Sequence, residues 1–250
     1  MTNKYMYFVA NWKMFGDLKT LNSLDKVIKF LKNNKKNKIK IVYCPPNTLI
    51  RPLSRRLKKT IIEVGAQNCH HSEIPGAFTG SINSLMLKNV GAKYVIIGHS
   101  ENRLAGDTNK IINLKIKSAL KKKLAVIFCI GETLKEKKNK KTDIILNSQI
   151  KNGLKSVKRN SKIIFAYEPV WSIGTGKILK NSDLEVQINK IKNSIKRIFK
   201  LNNPKIVYGG SVNSKNITEL KKISSINGFL IGGASQNAKN FIDIIKKTIN

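Results

Sequence analysis

Eight times along the chain, a short run rich in β-branched and aromatic residues gives way to a longer stretch whose apolar residues recur at helical spacing. The pairs begin with YMYFVANWK followed by LNSLDKVIKFLKN. They continue through YVIIGHS followed by KIINLKIKSALKK and KIIFAYEP followed by LEVQINKIKNSIKRIF, and end with GFLIGG followed by NFIDIIKKTI. Alternation of this kind predicts an α/β fold with a parallel sheet under covering helices. Continuous apolar strands such as the one holding Val95, Ile96 and Ile97 suit a sheet buried on both faces. Eight units in 250 residues fit a closed (βα)8 barrel better than an open doubly wound sheet. No linker or shift in composition divides the chain, so residues 1–250 are expected to form a single domain.

A barrel of parallel strands places its chemistry on the loops after the strands. Collected in chain order, the polar residues there are Asn11 and Lys13, Gln67 and Asn68, His99 and Ser100, Cys129 with Glu132, Glu168, Ser211, and the pair Gly232 and Gly233. Glu168 ends an apolar strand, and Pro169 biases it toward an extended conformation that aims its side chain. Apolar neighbours raise a carboxyl pKa and make it a usable base near neutral pH; the bland alternative is a strand-end glutamate paired to a lysine. His99 precedes the opening of a helical turn, where the helix dipole favours a neutral imidazole that can donate to a carbonyl oxygen. A satisfied buried histidine is the competing reading. Lys13 could face a developing oxyanion, although lysines are so common here that identity alone distinguishes nothing. The turns YGGS and IGGAS follow the last two strands, where barrels often hold a phosphate on backbone N–H groups.

The charge balance raises a different class of function. The chain carries 48 Lys and Arg against 14 Asp and Glu, a net charge of +34, and a strongly basic balance is a first mark of nucleic-acid binding. The lysines are scattered through helical stretches such as LKNNKKNKIK and LKEKKNKKTD, where charge blocks are ordinarily solvated faces. Nucleic-acid contact is therefore expected to be incidental, with the net field drawing in small anions. The sequence CHH at 69–71 has the residue types of a zinc site but no second cluster to complete four ligands, so it reads as a loop without metal. Cys44, Cys69 and Cys129 are odd in number and lie in or beside apolar runs, which argues against a disulfide framework and for a reducing compartment. The chain has no long apolar span, and MTNKYMYFVANWKM reads as a first strand and not as a signal peptide. No membrane partner is expected, and the expected location is the cytoplasm.

The segments ANWKM (10–14), GAQN (65–68), GAFTG (76–80), YVIIGHSE (94–101), CIGE (129–132), AYEPVWSIGTG (166–176), YGGSV (208–212) and GGAS (232–235) occur in an order and spacing that resembles the triosephosphate isomerase family along nearly the whole chain. The resemblance implies a TIM barrel without metal or organic cofactor that interconverts dihydroxyacetone phosphate and D-glyceraldehyde 3-phosphate. It also implies that Glu168 is the base, His99 the neutral electrophile, Lys13 the cation facing the enediolate, and Asn11 a substrate-orienting group. Phosphate would be held by the main-chain N–H groups of Gly174, Ser211, Gly232 and Gly233. Ile173 and Leu230 match the apolar pair that closes over the base, Cys129 and Glu101 stand behind the site, and Pro169 to Lys177 form a closing lid.

The departures from the family pattern cluster. Ser81 stands where the family has Glu, and Asn102 stands where it has the Arg that pairs with that Glu across a dimer interface. Asp107 replaces a nearby Glu. Losing both charged partners together leaves no unpaired buried charge, so a homodimer built through loop 76–80 is still expected, its strength open. Two other functions compete: a basic protein that binds a polyanion on a barrel scaffold, and a sugar-phosphate barrel with a different reaction.

Overall fold

In the computed structural model, residues 5–34, 38–159, 162–176 and 178–249 are described. Eight parallel strands close into a barrel in sequence order: β1 (Met6–Asn11), β2 (Ile39–Cys44), β3 (Glu63–Ala66), β4 (Tyr94–Ile97), β5 (Ala125–Ile130), β6 (Ile163–Tyr167), β7 (Lys205–Tyr208) and β8 (Gly228–Ile231). Closure comes from β1 pairing with both β2 and β8, Val9 lying opposite Val42 on one side and Leu230 on the other. The eight strand-plus-helix units expected from the sequence are all present, in one single-domain TIM barrel.

Alternate residues of each strand separate two cores, which is why the strand sequences are apolar throughout. One core fills the lumen with Tyr7, Val9, Val42, Cys44, Tyr94, Ile96, Ile127, Cys129, Ile164, Ala166, Val207 and Leu230. The other lies between strands and helices, joining strand residues such as Phe8, Val95 and Phe165 to helix residues such as Ile50, Ile116, Ile188 and Ile244. Each fully buried aliphatic side chain contributes about 1.5–3 kcal/mol of apolar transfer. The three cysteines are buried and free, and burial pushes their thiols up, leaving them protonated and inert.

Helices α1 (Leu24–Asn33), α2 (Asn47–Leu57), α3 (Ser84–Asn89), α5 (Asn109–Lys121), α7 (Thr142–Gly153), α8 (Asn181–Phe199) and α10 (Ala238–Ile249) cover the barrel. The stretch NITELKK yields only a single turn, α9 (Ile217–Leu220). Two short helices, α4 (Ser100–Leu104) and α6 (Leu134–Lys138), sit in the loops after β4 and β5. Both are fixed by local caps, His99 accepting from Glu101 N and Thr133 forming a reciprocal box with Glu136. Several helices end without the glycine usual there: Lys200 closes α8 at φ 57°, and Lys123 and Lys140 are left-handed at φ 63° and 54°. A side chain in that conformation costs about 1–2 kcal/mol.

Candidate active site

Glu168 is held by the ends of three strands. Its N–H donates to Ile130 O at 2.8 Å, continuing the β5–β6 ladder one residue past β6. A Cβ at Gly131 would lie 1.8 Å from Glu168 O, and one at Gly209 would lie 2.6 Å from its Cγ. These two glycines therefore let β5 and β7 close tightly around the residue. The carboxyl is buried, and burial raises its pKa above the ordinary carboxylate value; His99, the Cys129 thiol and Lys13 act against that rise without cancelling it. Oε2 is fully buried and has no hydrogen-bond partner.

His99 enters the lumen from the other side. Its Nδ1 accepts a hydrogen bond from Glu101 N at 3.2 Å, so the ring proton resides on Nε2, which lies 3.6 Å from Glu168 Oε1. Behind it Arg103, which the sequence did not single out, donates to Gly98 O at 2.7 Å and Cys129 O at 3.1 Å. That guanidinium ties the end of β4 to β5 and so fixes the turn carrying His99.

Lys13 adopts a left-handed backbone at φ 55°, a strain that surrounding groups must hold in place. Asn11 Oδ1 accepts from Lys13 N at 3.1 Å, and Gln67 Nε2 donates to Lys13 O at 2.8 Å. The ammonium forms an ion pair with Glu101. Burial pushes the Glu101 carboxyl up, but the hydrogen bond from Lys13 and the neighbouring His99 outweigh this and hold it below its ordinary value.

These groups share a cavity of about 230 Å³. The structure brings together every residue expected to touch substrate, namely Asn11, Lys13, His99, Glu168, Gly174, Ser211, Gly232 and Gly233, with Ile173 of the lid and Leu230 at the end of β8 also lining the cavity. Glu101, paired with Lys13, and Cys129, buried on β5, lie outside its lining. Gly210, Val212, Asn213 and Ala234 also line it, and only their adjacency to the glycine turns could have marked them. Ser172 was missed as well. Its buried Oγ accepts from Ser211 N at 3.3 Å and lies 3.3 Å from Tyr208 Oη, which ties the lid to the end of β7.

The lid's first turn is anchored on Trp171. Its Nε1 donates to Glu132 Oε1 at 2.9 Å, Tyr167 Oη donates to Glu132 Oε2 at 3.2 Å, and Lys137 Nζ sits 3.6 Å from the Trp171 ring centroid. Gly174, at φ 71°, and Gly176 carry the exposed tip. Lys177, expected as the lid's last residue, lies outside the described residues.

Two of the departing residues, Asn102 and Asp107, join one hydrogen-bonded network, and Ser81 lies outside it. Lys115 Nζ donates to both oxygens of Asp107 at 2.7 Å and to Asn68 Oδ1 at 3.0 Å, and Asn68 Nδ2 donates to Asn102 Oδ1 at 3.1 Å. Lys115, unmarked in the sequence, is almost wholly buried. In the CHH segment the His70 and His71 rings stack at 4.2 Å, and His70 packs on Phe78 at 4.3 Å. Among the described residues, no group of three or more His, Cys, Asp or Glu side chains is placed to hold a metal ion.

A closed parallel barrel with a buried carboxylate, an imidazole and an ammonium at the carboxyl ends of its strands, next to two glycine turns, defines the (βα)8 isomerase class of enzyme. Comparison with known proteins narrows the class. A family model described as triosephosphate isomerase matches residues 6–248, and the chain belongs to the triosephosphate isomerase family. The enzyme of that name from Dictyoglomus turgidum is 41% identical over 243 residues, covering 95% of this chain and 97% of the relative. The one from Dictyoglomus thermophilum is 42% identical over 245 residues with the same coverage. The crystal structure of triosephosphate isomerase from Bartonella henselae superposes with a TM-score of 0.87 at 33% identity, covering 97% of this chain and 98% of the other.

Proposed function

We propose that Glu168, His99 and Lys13 carry the reaction this protein performs as a member of its family, the interconversion of dihydroxyacetone phosphate and D-glyceraldehyde 3-phosphate in glycolysis and gluconeogenesis. A glutamate base with a neutral histidine electrophile is the pair for which the family is known. The observation that carries the assignment is Glu168 itself, one oxygen facing His99 Nε2 at 3.6 Å and the other buried without a partner. A buried, unsatisfied carboxylate oxygen is costly for folding and is suited to accepting a proton.

Glu168 takes the proton from the carbon beside the carbonyl, and the electron pair moves onto the carbonyl oxygen. His99 donates Nε2–H to that oxygen, and the Lys13 ammonium offsets the negative charge of the enediolate. The protonated Glu168 then returns its proton to the neighbouring carbon while a hydroxyl proton passes between the two oxygens. The raised carboxyl pKa strengthens the base. Phosphate binds to the N–H groups of Gly174, Ser211, Gly232 and Gly233, the Ser211 N–H exchanging its long bond to Ser172 Oγ for the ligand. Asn11 orients the substrate, and Ile173 and Leu230 close over the base to exclude water. In D2O, a base shared between two carbons gives product carrying partly solvent deuterium, read by proton NMR. Glu168→Gln is expected to lose turnover and exchange together, and exchange at the wild-type rate in that variant would overturn the assignment.

Residues 1–250 act as one catalytic domain working in the cytoplasm as a homodimer. No helix among the described residues is long and apolar enough to cross a membrane. Exposed apolar side chains gather on the loops after β1, β3 and β4, where Met14, Ile74, Phe78 and Leu104 project. This grouping supports loop 76–80 as the segment that reaches into a second copy beside the latter's cavity.

A further inference from the structure

The net charge is not spread evenly over the barrel. Among the described residues of the segments that enter the strands (38–40, 58–63, 90–94, 122–125, 154–159, 162, 200–205 and 221–228), Glu63 is the only acidic side chain. It is already engaged, with Tyr94 Oη at 2.9 Å, Lys93 Nζ at 3.3 Å and Lys40 Nζ at 3.6 Å. Lysines or arginines stand in every one of these segments, and Lys58, Lys59, Lys123, Lys158, Arg159 and Lys200 are exposed. Arg159 Nη1 donates to Lys200 O at 3.4 Å, so the rims before β6 and β7 meet. The amino-terminal end of the barrel, opposite the active site, is thus a predominantly cationic face, on which Glu63 and, through its pair with Lys222, Glu219 offset part of the charge.

That face also holds an aromatic cleft. A cavity of about 480 Å³ is lined by Tyr5, Tyr7, Asn202, Asn203, Lys205 and Asn227. Tyr5 is half exposed, and Lys40 Nζ sits 5.9 Å from its ring centroid. Lys205 Nζ lies 5.5 Å from the Tyr7 ring centroid and donates to its hydroxyl at 3.3 Å. Exposed amides, a presentable tyrosine ring and surrounding ammonium groups are the components with which proteins take a base by stacking and a backbone by charge.

We propose that this amino-terminal face binds single-stranded RNA, with phosphates along the Lys158–Arg159–Lys200 rim and an unstacked base against Tyr5 in the cleft. A duplex keeps its bases stacked and has no use for the cleft. An anionic membrane calls for an apolar stripe, whereas among the described residues of these segments Ile61 is the only exposed large apolar side chain, joined by Tyr5 just before β1. Where the sequence left nucleic-acid contact as incidental to scattered lysines, the fold brings part of that charge to the amino-terminal end, while the lysines of LKEKKNKKTD stay in the loop after β5 at the other end.

The test is fluorescence anisotropy with a labelled oligouridylate of about 12 nucleotides. It compares the wild-type chain, a rim variant (Lys158→Glu, Arg159→Glu, Lys200→Glu), a control with equal charge change on exposed α1 positions (Lys26→Glu, Lys29→Glu, Lys32→Glu), and Tyr5→Ala. The rim variant is expected to bind about tenfold or more weakly and the control within about threefold of wild type, since contacted phosphates govern the salt-dependent part of affinity. Tyr5→Ala is expected to weaken the oligouridylate and leave duplex DNA binding unchanged. Isomerase turnover, unchanged in all of them, reports that each variant folds. Equal weakening by rim and control variants would overturn the proposal. So would a rim variant that loses phosphatidylserine vesicles and keeps the RNA.

Discussion

Nε2 of His99 and Oε1 of Glu168 stand 3.6 Å apart, with both side chains only 4% exposed. They reach this separation from opposite constraints: His99 is turned into the lumen by its cap on α4, and Glu168 is clamped by the glycines of β5 and β7. A substrate carbonyl and its neighbouring carbon seated against this pair would meet a hydrogen-bond donor and a carboxylate at once.

Burial that raises the pKa of Glu168 costs stability. Its folded-state pKa is raised above the ordinary 4.5, so the native state holds that proton more tightly than the unfolded chain does. The resulting stabilisation is fully present below 4.5 and is lost as pH rises through the folded value. Glu168→Gln is therefore expected to melt at a higher temperature than wild type at about pH 8, with the difference shrinking toward about pH 4. Calorimetry across that range reads it, and a pH-independent difference would contradict the burial argument.

Gly209 packs against the Glu168 side chain and has no side chain of its own. Its missing Cβ would lie 2.6 Å from Glu168 Cγ and 2.9 Å from Oε1, so Gly209→Ala should push the carboxylate off its position. A displacement of about 1 Å costs on the order of 100-fold in rate. We expect that loss in kcat with a native circular-dichroism spectrum, and wild-type kcat would show that the carboxylate has room to move.

The Lys115–Asp107 pair is 2.7 Å long with side chains 7% and 12% exposed. Lys115→Met leaves a buried carboxylate unpaired and is expected to cost about 3–5 kcal/mol in urea denaturation, much of it recovered by adding Asp107→Leu. A single-variant cost below about 1 kcal/mol would mean that the pair is solvated.

The exposed side chains of Met14, Ile74, Phe78 and Leu104 need covering if the molecule is a dimer. Sedimentation at about micromolar concentration is expected to give a dimer that Phe78→Asp dissociates with loss of activity, a charge at the core of an interface being strongly unfavourable. A fully active monomer of the unmodified chain would contradict the homodimer.

What the sequence made legible was what sequence carries locally. Strand runs, helical spacing and the residues just past each strand end placed Glu168, His99, Lys13 and the glycine turns in one cavity. Pairings between distant segments were not legible, because no local signal marks them: Arg103 reaches the β5 carbonyl of Cys129, Ser172 meets Ser211, and Lys115 finds Asp107. Lys123, Lys140 and Lys200 also hid helix ends, since a lysine at a left-handed position carries none of the signal a glycine would. The basic residues read as solvated helix faces, and only the closed barrel shows how many of them share its amino-terminal end.

In the proposed reaction the carboxylate of Glu168, at its present reach, moves the proton. A coupled assay with D-glyceraldehyde 3-phosphate on the purified chain and on Glu168→Asp tests it most directly, because the shorter side chain keeps the acid and withdraws it by one methylene. Rapid turnover is expected for the wild-type chain, with a loss on the order of 100-fold or more in the variant, which remains folded. Turnover by Glu168→Asp equal to wild type would contradict it.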